Sequence, residues 1–483
     1  MLKKNEEYVV EIIDNGFQGE GIAKIDGITV FVQGAIKNER VKIKIIKVLS
    51  DFCFGKMLEI IEKSEYRIEE DCATYKQCGG CNLRHIEYEE TLNMKRQIVE
   101  NCLKKANIDV LPKVQDTIGM DNPKYYRNKL QYPLGLNCEG RRVMGVYANR
   151  THDIVPVDKC FIQNEECQNV ANSIFEFIRS NNIFVYDEKT LRGLVRHIVV
   201  RIGIKTNEIM AVLVLNHKWT DKVAEEKLIE HILSIHPNVK TIVMNINGKD
   251  TNVILGDKNE VIYGNGYIYD VLGDFKFKIS VNSFYQVNPI QTEILYNEAI
   301  SYIDEENKCS KSFEDSSVLV AEEGQGEVSR NKKGVALDLY CGIGTIGIFA
   351  SKHFKKVYGI ETIEQAVEDA KENARLNNVE NIEFFVGDVE QVLPEMLEAN
   401  DNIKPDVVFV DPPRKGMDNK TIETILMIEP KQIIYISCNP ATLARDISKL
   451  QEKYKLEKVR PTDMFPYTSH VECVCSLKLK QDS

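Results

Sequence analysis

From Gly334 onward the chain alternates short apolar runs with helical stretches, and this rhythm constrains the fold more than any other feature of its 483 residues. Apolar runs at 335–339, 356–361, 382–387, 405–411 and 432–438 are separated by helix-like stretches at 345–353, 363–376, 389–398, 418–428 and 440–452. A strand lying parallel to its predecessor needs a crossover, and a helix supplies it. The pattern therefore predicts a C-terminal α/β domain of Rossmann-like kind, with helices on both faces of a parallel sheet. Two final strands, about 455–461 and 471–479, follow with no helix between them.

The start of the chain has a different period. Residues 6–60 alternate apolar and polar, as in Arg40-Val41-Lys42-Ile43-Lys44-Ile45, with turns at Asn15-Gly16, Gly19-Glu20-Gly21, Asp26-Gly27 and Gly34. Short strands punctuated by glycine predict a small all-β, OB-like barrel over 1–63. Its lysine-rich edge and Phe17, in a turn, suit stacking on single-stranded nucleic acid; Phe31 suits the barrel core at least as well. Residues 64–275 read as a central α+β domain with a cysteine-bearing loop, including strand runs at 198–204 and 209–215. Residues 276–483 form the α/β domain, in which 304–333 lacks periodicity and reads as a disordered insert.

A net charge of −11 argues at face value against nucleic acid, but charge is unevenly spread. Residues 361–400 hold eleven Asp/Glu against two Lys/Arg, whereas 37–47, 124–150 and 189–205 are basic. An acidic flank can coexist with an RNA-facing basic surface. No apolar run approaches the ~20 residues of a membrane span, and the N-terminus turns polar where a signal peptide would turn apolar. A cytoplasmic monomer is expected, with no membrane partner.

The first strand of the α/β domain runs into Asp338-Leu339-Tyr340-Cys341-Gly342-Ile343-Gly344. Such a turn brings backbone close to a ligand, and Glu361, ending the second strand, can take both hydroxyls of a ribose. Asp388 and Asp411 end later strands on the same sheet edge. A cluster of acids suits a cationic sulfonium better than a pyrophosphate, so S-adenosylmethionine is favoured over a dinucleotide. Asp388 also fits a helix N-cap.

Asp411-Pro412-Pro413-Arg414 ends the fourth strand and Ser437-Cys438-Asn439-Pro440 the fifth. Arg414 stands where an aromatic would mark an amino-methyltransferase, and points to binding of a phosphate or base carbonyl. Cys438, before a helix, is expected to be exposed and to feel a thiolate-favouring dipole. C5 of uracil is too weak a nucleophile to accept a methyl group unaided. A thiolate added at C6 turns the ring into an enolate, and a base must then remove the C5 proton.

Thirteen cysteines in a reduced compartment point to metal binding or catalysis rather than disulfides. Cys72, Cys78 and Cys81 stand at a metal-ligand spacing that zinc and iron–sulfur groups both accept. A fourth ligand must come from elsewhere, with Cys160, Cys138 and Cys167 as candidates. Cys53, Cys102, Cys309, Cys341, Cys473 and Cys475 read as packing or surface residues.

These motifs, with Ser283-Phe284-Tyr285-Gln286-Val287-Asn288 and His470-Val471-Glu472, resemble those of the RNA uracil-5-methyltransferase family. The resemblance is to its 23S ribosomal-RNA branch and covers nearly the whole chain outside 304–333. It implies a TRAM-type N-terminal barrel, a class I methyltransferase domain and a 23S ribosomal RNA substrate. It implies Cys438 as nucleophile and Glu472 as the base that takes the C5 proton. Gln286, Tyr340, Glu361 and Asp411 match cofactor-binding positions, and Cys72, Cys78, Cys81 and Cys160 match the ligands of a four-iron, four-sulfur (4Fe-4S) cluster. His470 can orient Glu472, though a satisfied surface histidine fits as well. A transfer-RNA uracil methyltransferase lacks, in this reading, the added barrel and cluster. A non-catalytic ribosome-assembly factor has no need of the acids, Cys438 and Glu472. Cytosine-5 enzymes usually add a second cysteine beside the proline-rich motif, where this chain has none.

Overall fold

The computed structural model describes residues 2–149, 151–304, 334–399 and 403–481. At the N-terminus, β1 (Glu7–Glu11), β2 (Asp14–Asn15), β3 (Gly21–Ile25), β4 (Ile28–Gln33), β5 (Arg40–Val48) and β6 (Phe52–Glu62) form one sheet in the order β1-β5-β6-β4-β3-β2. The Ile13 N–H donates to the Ile22 carbonyl at 2.8 Å, drawing the end of β1 onto β3 and closing the barrel. Alternate residues such as Val30, Val32, Val41 and Ile43 fill its interior. Fully buried Glu39 accepts from Arg67 Nε at 2.5 Å and Nη2 at 2.9 Å, fastening the barrel to the segment that follows.

Next come α1 (Tyr88–Lys105), β7 (Lys129–Leu136), β8 (Arg142–Tyr147), β9 (Ile154–Pro156), α2 (Glu165–Ser180), β10 (Val195–Ile202), β11 (Ile209–Leu215), α3 (Lys222–Ile235), β12 (Val239–Ile246) and β13 (Lys258–Tyr263). The seven strands run in the order β13-β12-β11-β10-β7-β8-β9. Only β11 and β12 pair in parallel, with α3 as their crossover. Every residue of β10 and β11 is buried. Ile198, Val200 and Leu213 pack on one side with Val170 and Ile174 of α2 and Leu228 of α3. Val199, Val212 and Val214 join the core of the C-terminal region on the other. Burial of both faces explains why these strands read as unbroken apolar runs. Helix α1 lies within the span expected as central domain, yet Ile98, Val99 and Leu103 pack with Leu443, Ile447 and Val459 of the C-terminal region.

The hairpin β14 (Tyr267–Leu272) and β15 (Phe275–Ser280) contributes Ile268, Phe277 and Ile279 to that C-terminal core, so the boundary expected at 275/276 falls inside it. After α4 (Pro289–Ser301) come β16 (Val335–Leu339), α5 (Thr345–Ala350), β17 (Lys356–Glu361), α6 (Glu364–Leu376), β18 (Ile382–Val386), α7 (Val389–Ala399), β19 (Val407–Val410), α8 (Asn419–Ile428), β20 (Gln432–Ser437), α9 (Pro440–Leu450), β21 (Tyr454–Thr462) and β22 (Glu472–Leu479). Their sheet has the order β18-β17-β16-β19-β20-β22-β21. The first five strands are parallel, while β22 is antiparallel to both its neighbours. Strand order reverses between β16 and β19, and ligands bind open α/β sheets at the carboxyl edge of such a switch point. Of the expected insert, Asp304 donates its N–H to Gln432 Oε1 at 3.2 Å; residues 305–333, with Cys309, lie outside the described residues. Among the described residues no helix is long and apolar enough to cross a membrane.

Candidate active site and cysteine pocket

A cavity of about 610 Å³ opens at the switch point, and Gln286, Tyr340, Glu361, Asp388, Asp411, Cys438 and Glu472 all line it. Residues that the sequence spreads over almost 190 positions thus share one site: most follow or end parallel strands at one sheet edge, Glu472 opens the antiparallel β22 there, and Gln286 comes from the loop before α4.

The turn after β16 is strained. Tyr340 has φ 66°, a region bulky residues occupy at a cost, and Gly344 has φ 79°. A Cβ on Gly344 would meet the Phe384 ring at 2.7 Å, whereas one on Gly342 would meet nothing within 4 Å, leaving backbone open to the cavity. Glu361 accepts from the N–H groups of Gly342 at 3.1 Å and Ile363 at 3.0 Å, which fixes its carboxylate at the rim. Asp388 is exposed and accepts from Thr362 Oγ1 at 2.9 Å. Its backbone carbonyl meets the Val392 N–H at 2.9 Å in the first turn of α7. Asp338, which sequence reading passed over, lies fully buried beneath the turn and accepts from the Gly347 N–H at 2.7 Å. Burial pushes it up to about 8. An aspartate inside a strand was its sequence signal.

Across the cavity, the Arg414 carbonyl accepts from Asn439 Nδ2 at 3.0 Å and Thr442 Oγ1 at 3.2 Å, latching the Pro-Pro-Arg loop onto the start of α9 beside Cys438. Burial pushes Asp411 up to about 7. Burial, then the negative charge of Asp411, pushes Glu472 up to about 8, with Arg414 opposing. Cys438 rises to about 11 through burial, then Glu472 and Asp411, against Arg414. The thiolate-favouring surroundings expected from a helix start are therefore reversed, because desolvation and two carboxyls outweigh one guanidinium. His470 lines the same cavity and sets its ring edge-on to Phe465, centroids 6.0 Å apart. Burial, then Arg414, holds its imidazole below its ordinary value.

Gln286 is placed from the central sheet. Asn128 donates its Nδ2 to the Gln286 carbonyl at 3.1 Å and its N–H to the Val287 carbonyl at 2.9 Å. Buried Arg201 donates from Nη1 to the carbonyls of Ser280, Val281 and Ser283 at 2.8, 3.2 and 2.9 Å. Phe284, between these anchors, is 70% exposed at the cavity lip.

Comparison with known proteins identifies the family. Residues 318–480 match the tRNA (uracil-5-)-methyltransferase family and residues 2–58 the TRAM domain. An uncharacterized RNA methyltransferase of Clostridium acetobutylicum is 44% identical over 481 residues, 99% of this chain and 98% of its own length. The chain belongs to the S-adenosylmethionine-dependent RNA uracil-5-methyltransferase family. A second RNA methyltransferase, from Staphylococcus aureus, is 43% identical, covering 99% of each chain. The fold is shared with the Pyrococcus abyssi tRNA (uracil-54, C5)-methyltransferase, solved with S-adenosyl-L-homocysteine (TM-score 0.74, 24% identity, 98% of this chain and 100% of that one). For a sulfonium donor the cavity of this methyltransferase is well matched. Asp411, held at about 7 by burial, and Glu472, held at about 8 by burial and then by Asp411, are relieved by a cation and further strained by an anion.

A second cavity of about 210 Å³ brings Cys72, Cys78, Cys81 and Cys160 together. Cys138 is exposed in the turn after β7 and Cys167 is buried in α2, and neither lines it. Burial, then Cys160, pushes Cys81 up to about 12. Arg84, Arg127 and Lys129 also face the cavity. Arg84 Nη1, Arg127 Nε and Gln163 Oε1 are buried there without a hydrogen-bond partner. Among the described residues no group of three or more His, Cys, Asp or Glu is drawn in closely enough to hold a single metal ion. Four thiols beside the spare donors of Arg84 and Arg127 are groups that an anionic, thiolate-bound ligand would use.

On the barrel, Phe17 is 48% exposed. Phe31 lies outside the barrel core, because Val30 and Val32 take the inward positions of β4. It packs against Phe52 and Phe54 at 5.5 and 5.9 Å between centroids. Phe52 and Phe54 escaped sequence reading because only the parallel β4–β6 pairing sets them beside Phe31.

Proposed function

We propose that this methyltransferase methylates C5 of a uracil in 23S ribosomal RNA through a transient bond between Cys438 and C6 of the base. The observation that carries the reading is the convergence of Cys438, Arg414, Asp411 and Glu472 on one cavity. S-adenosylmethionine, when bound, supplies an electrophilic methyl group. A cation in this cavity offsets the field of Asp411 and Glu472, which brings the Cys438 thiol down toward its thiolate. Having lost its proton to solvent, the Cys438 thiolate bonds to C6, and the C5–C6 π pair moves onto the ring as an enolate that Arg414 stabilises at the base carbonyl. C5 takes the methyl group with loss of the sulfonium C–S bond, leaving S-adenosylhomocysteine. Glu472 removes the C5 proton, the C5–C6 double bond re-forms, and the C6–S bond breaks to return Cys438. Glu361 takes the ribose hydroxyls, while Gln286, Tyr340, Asp388 and Asp411 line the rest of the donor site.

A base must leave its stack to meet both Cys438 and the methyl group. Phe17 and the Phe31–Phe52–Phe54 group supply stacking faces for flanking single-stranded nucleotides. Cys72, Cys78, Cys81 and Cys160 would hold a four-iron, four-sulfur cluster that staples the 72–81 loop to the strand-end segment at 160. The ribosomal address rests on resemblance to the ribosomal-RNA branch of the family; the barrel does not discriminate, since a tRNA methyltransferase shares the fold over 98% of this chain.

The test uses RNA carrying 5-fluorouridine, whose fluorine cannot leave as a proton. The wild-type protein should form a denaturant-stable adduct, preferentially with a 23S ribosomal RNA transcript over a transfer RNA transcript. Cys438→Ala should form none, and methyl transfer should fall at least about a thousandfold. An adduct that survives in Cys438→Ala removes Cys438 as nucleophile; preference for transfer RNA overturns the substrate while leaving the chemistry.

A further inference from the structure

Glu472 is the first residue of β22, and the chain reaches it through the turn 463–471 after β21. That turn contains a strained residue, Tyr467, at φ 64°. Backbone strain of this kind persists only where surroundings impose it, and here they come from outside the catalytic domain. The N–H groups of Asn82 and Leu83 both donate to the Tyr467 carbonyl, at 3.1 and 3.0 Å. Arg84 lies over the Tyr467 ring, 4.5 Å from its centroid. The Asn82 side chain is spent on the same turn. Its Oδ1 accepts from the Ser469 N–H at 2.8 Å, and its Nδ2 donates to Ser469 Oγ at 2.9 Å. Nδ2 also donates to the Gln18 carbonyl of the barrel at 2.6 Å. One carboxamide, directly after Cys81, therefore joins the barrel, the cysteine loop and the turn leading to Glu472.

We propose that Asn82 is a positioning residue for proton abstraction: by clamping Ser469 it holds the turn that sets the Glu472 carboxyl against C5. The inference rests on the reading of Glu472 as the base. Its consequence is a defect confined to one step, because Asn82 touches neither the donor site nor Cys438. Methylation of C5 needs Cys438 and the donor; release of the C5 proton needs Glu472 in place, and a misplacement near 1 Å can slow such a step up to ~100-fold.

Asn82→Ala, Ser469→Ala and Glu472→Gln are compared using RNA labelled with tritium at uridine C5. Three quantities are read: donor affinity, formation of the methylated covalent adduct, and tritium release. Asn82→Ala should bind the donor within about twofold of wild type and form adduct at the wild-type rate. Its tritium release should slow about tenfold, so adduct accumulates. Ser469→Ala, which loses only the hydroxyl contact, should show the same pattern at about threefold. Wild-type tritium release in Asn82→Ala overturns the proposal, as does an equal loss in all three quantities, the mark of a merely structural role. If Asn82→Ala does not fold, Ser469→Ala decides, and wild-type release there overturns it. Glu472→Gln separates the two readings. Stalled release in Glu472→Gln with normal release in Asn82→Ala sinks the positioning role alone; normal release in Glu472→Gln sinks the base.

Discussion

The catalytic cavity and the cysteine pocket both present thiols to a ligand, but their surroundings carry opposite charge. Around Cys438 stand Glu472 and Asp411 with Arg414 as the opposing cation. Around Cys72, Cys78, Cys81 and Cys160 stand Arg84 and Arg127, each with a buried donor left unmet. A thiol's role is set by what its neighbours invite. Carboxyls held above their ordinary range favour a positively charged visitor, and the thiol among them gains its charge when that visitor arrives. Unmet guanidinium donors favour a negatively charged resident, and the thiols among them suit permanent ligation.

The largest expected effect breaks or upholds the second half of that comparison. Protein purified without oxygen should contain iron and acid-labile sulfide; Cys81→Ser should lose most of both, while Cys438→Ser should keep them. Zinc in the wild-type protein, or equal iron in the two variants, would erase the distinction between the pockets. The next effect sharpens the first half. Glu361→Ala should weaken binding of S-adenosylmethionine by about 10- to 100-fold in calorimetry, the usual loss for a charged hydrogen-bond acceptor, with iron content unchanged. Unaltered affinity would place the ribose elsewhere.

The smallest concerns Arg414, the cation that opposes those carboxyls. Glu472, raised to about 8, must be ionised to act as a base, so activity should climb as pH rises through that region. Arg414 lowers both Glu472 and Cys438, so its removal raises both. Arg414→Gln should therefore move the midpoint of the rising limb of kcat/KM to higher pH, by less than about one unit. A midpoint that stays or falls would mean that Arg414 does not govern the field around the thiol.

Much of the catalytic domain was legible because its strands and helices are local: each apolar run from 335 to 438 is a strand within a residue or two. The sheet edge was legible too, since a residue ending a parallel strand has one place to go. Asp338 was not, because an acid within a strand reads as a defect until the turn above it supplies the Gly347 N–H. The fourth cysteine could not be chosen by spacing among Cys138, Cys160 and Cys167; burial and the turn after β9 decide that only Cys160 faces the pocket. Asn82 and the Phe31–Phe52–Phe54 group depend on contacts between distant segments, which no local period encodes. Likewise Arg201 read as one residue of a basic stretch, yet it is buried against three carbonyls.

Helix α1 offers one more consequence. Its apolar face is completed by α9 and β21, and in the segment just beyond it the Asp109 N–H donates to Gln451 Oε1 across 342 residues of sequence. At the usual ~5–20 residues per second of synthesis, that partner emerges from the ribosome roughly 20 to 70 seconds after the helix does. During that interval Ile98, Val99 and Leu103 form an unpartnered greasy stripe on a nascent chain. The catalytic half cannot close ahead of α9 and β21, so the stripe stays uncovered until both have been made.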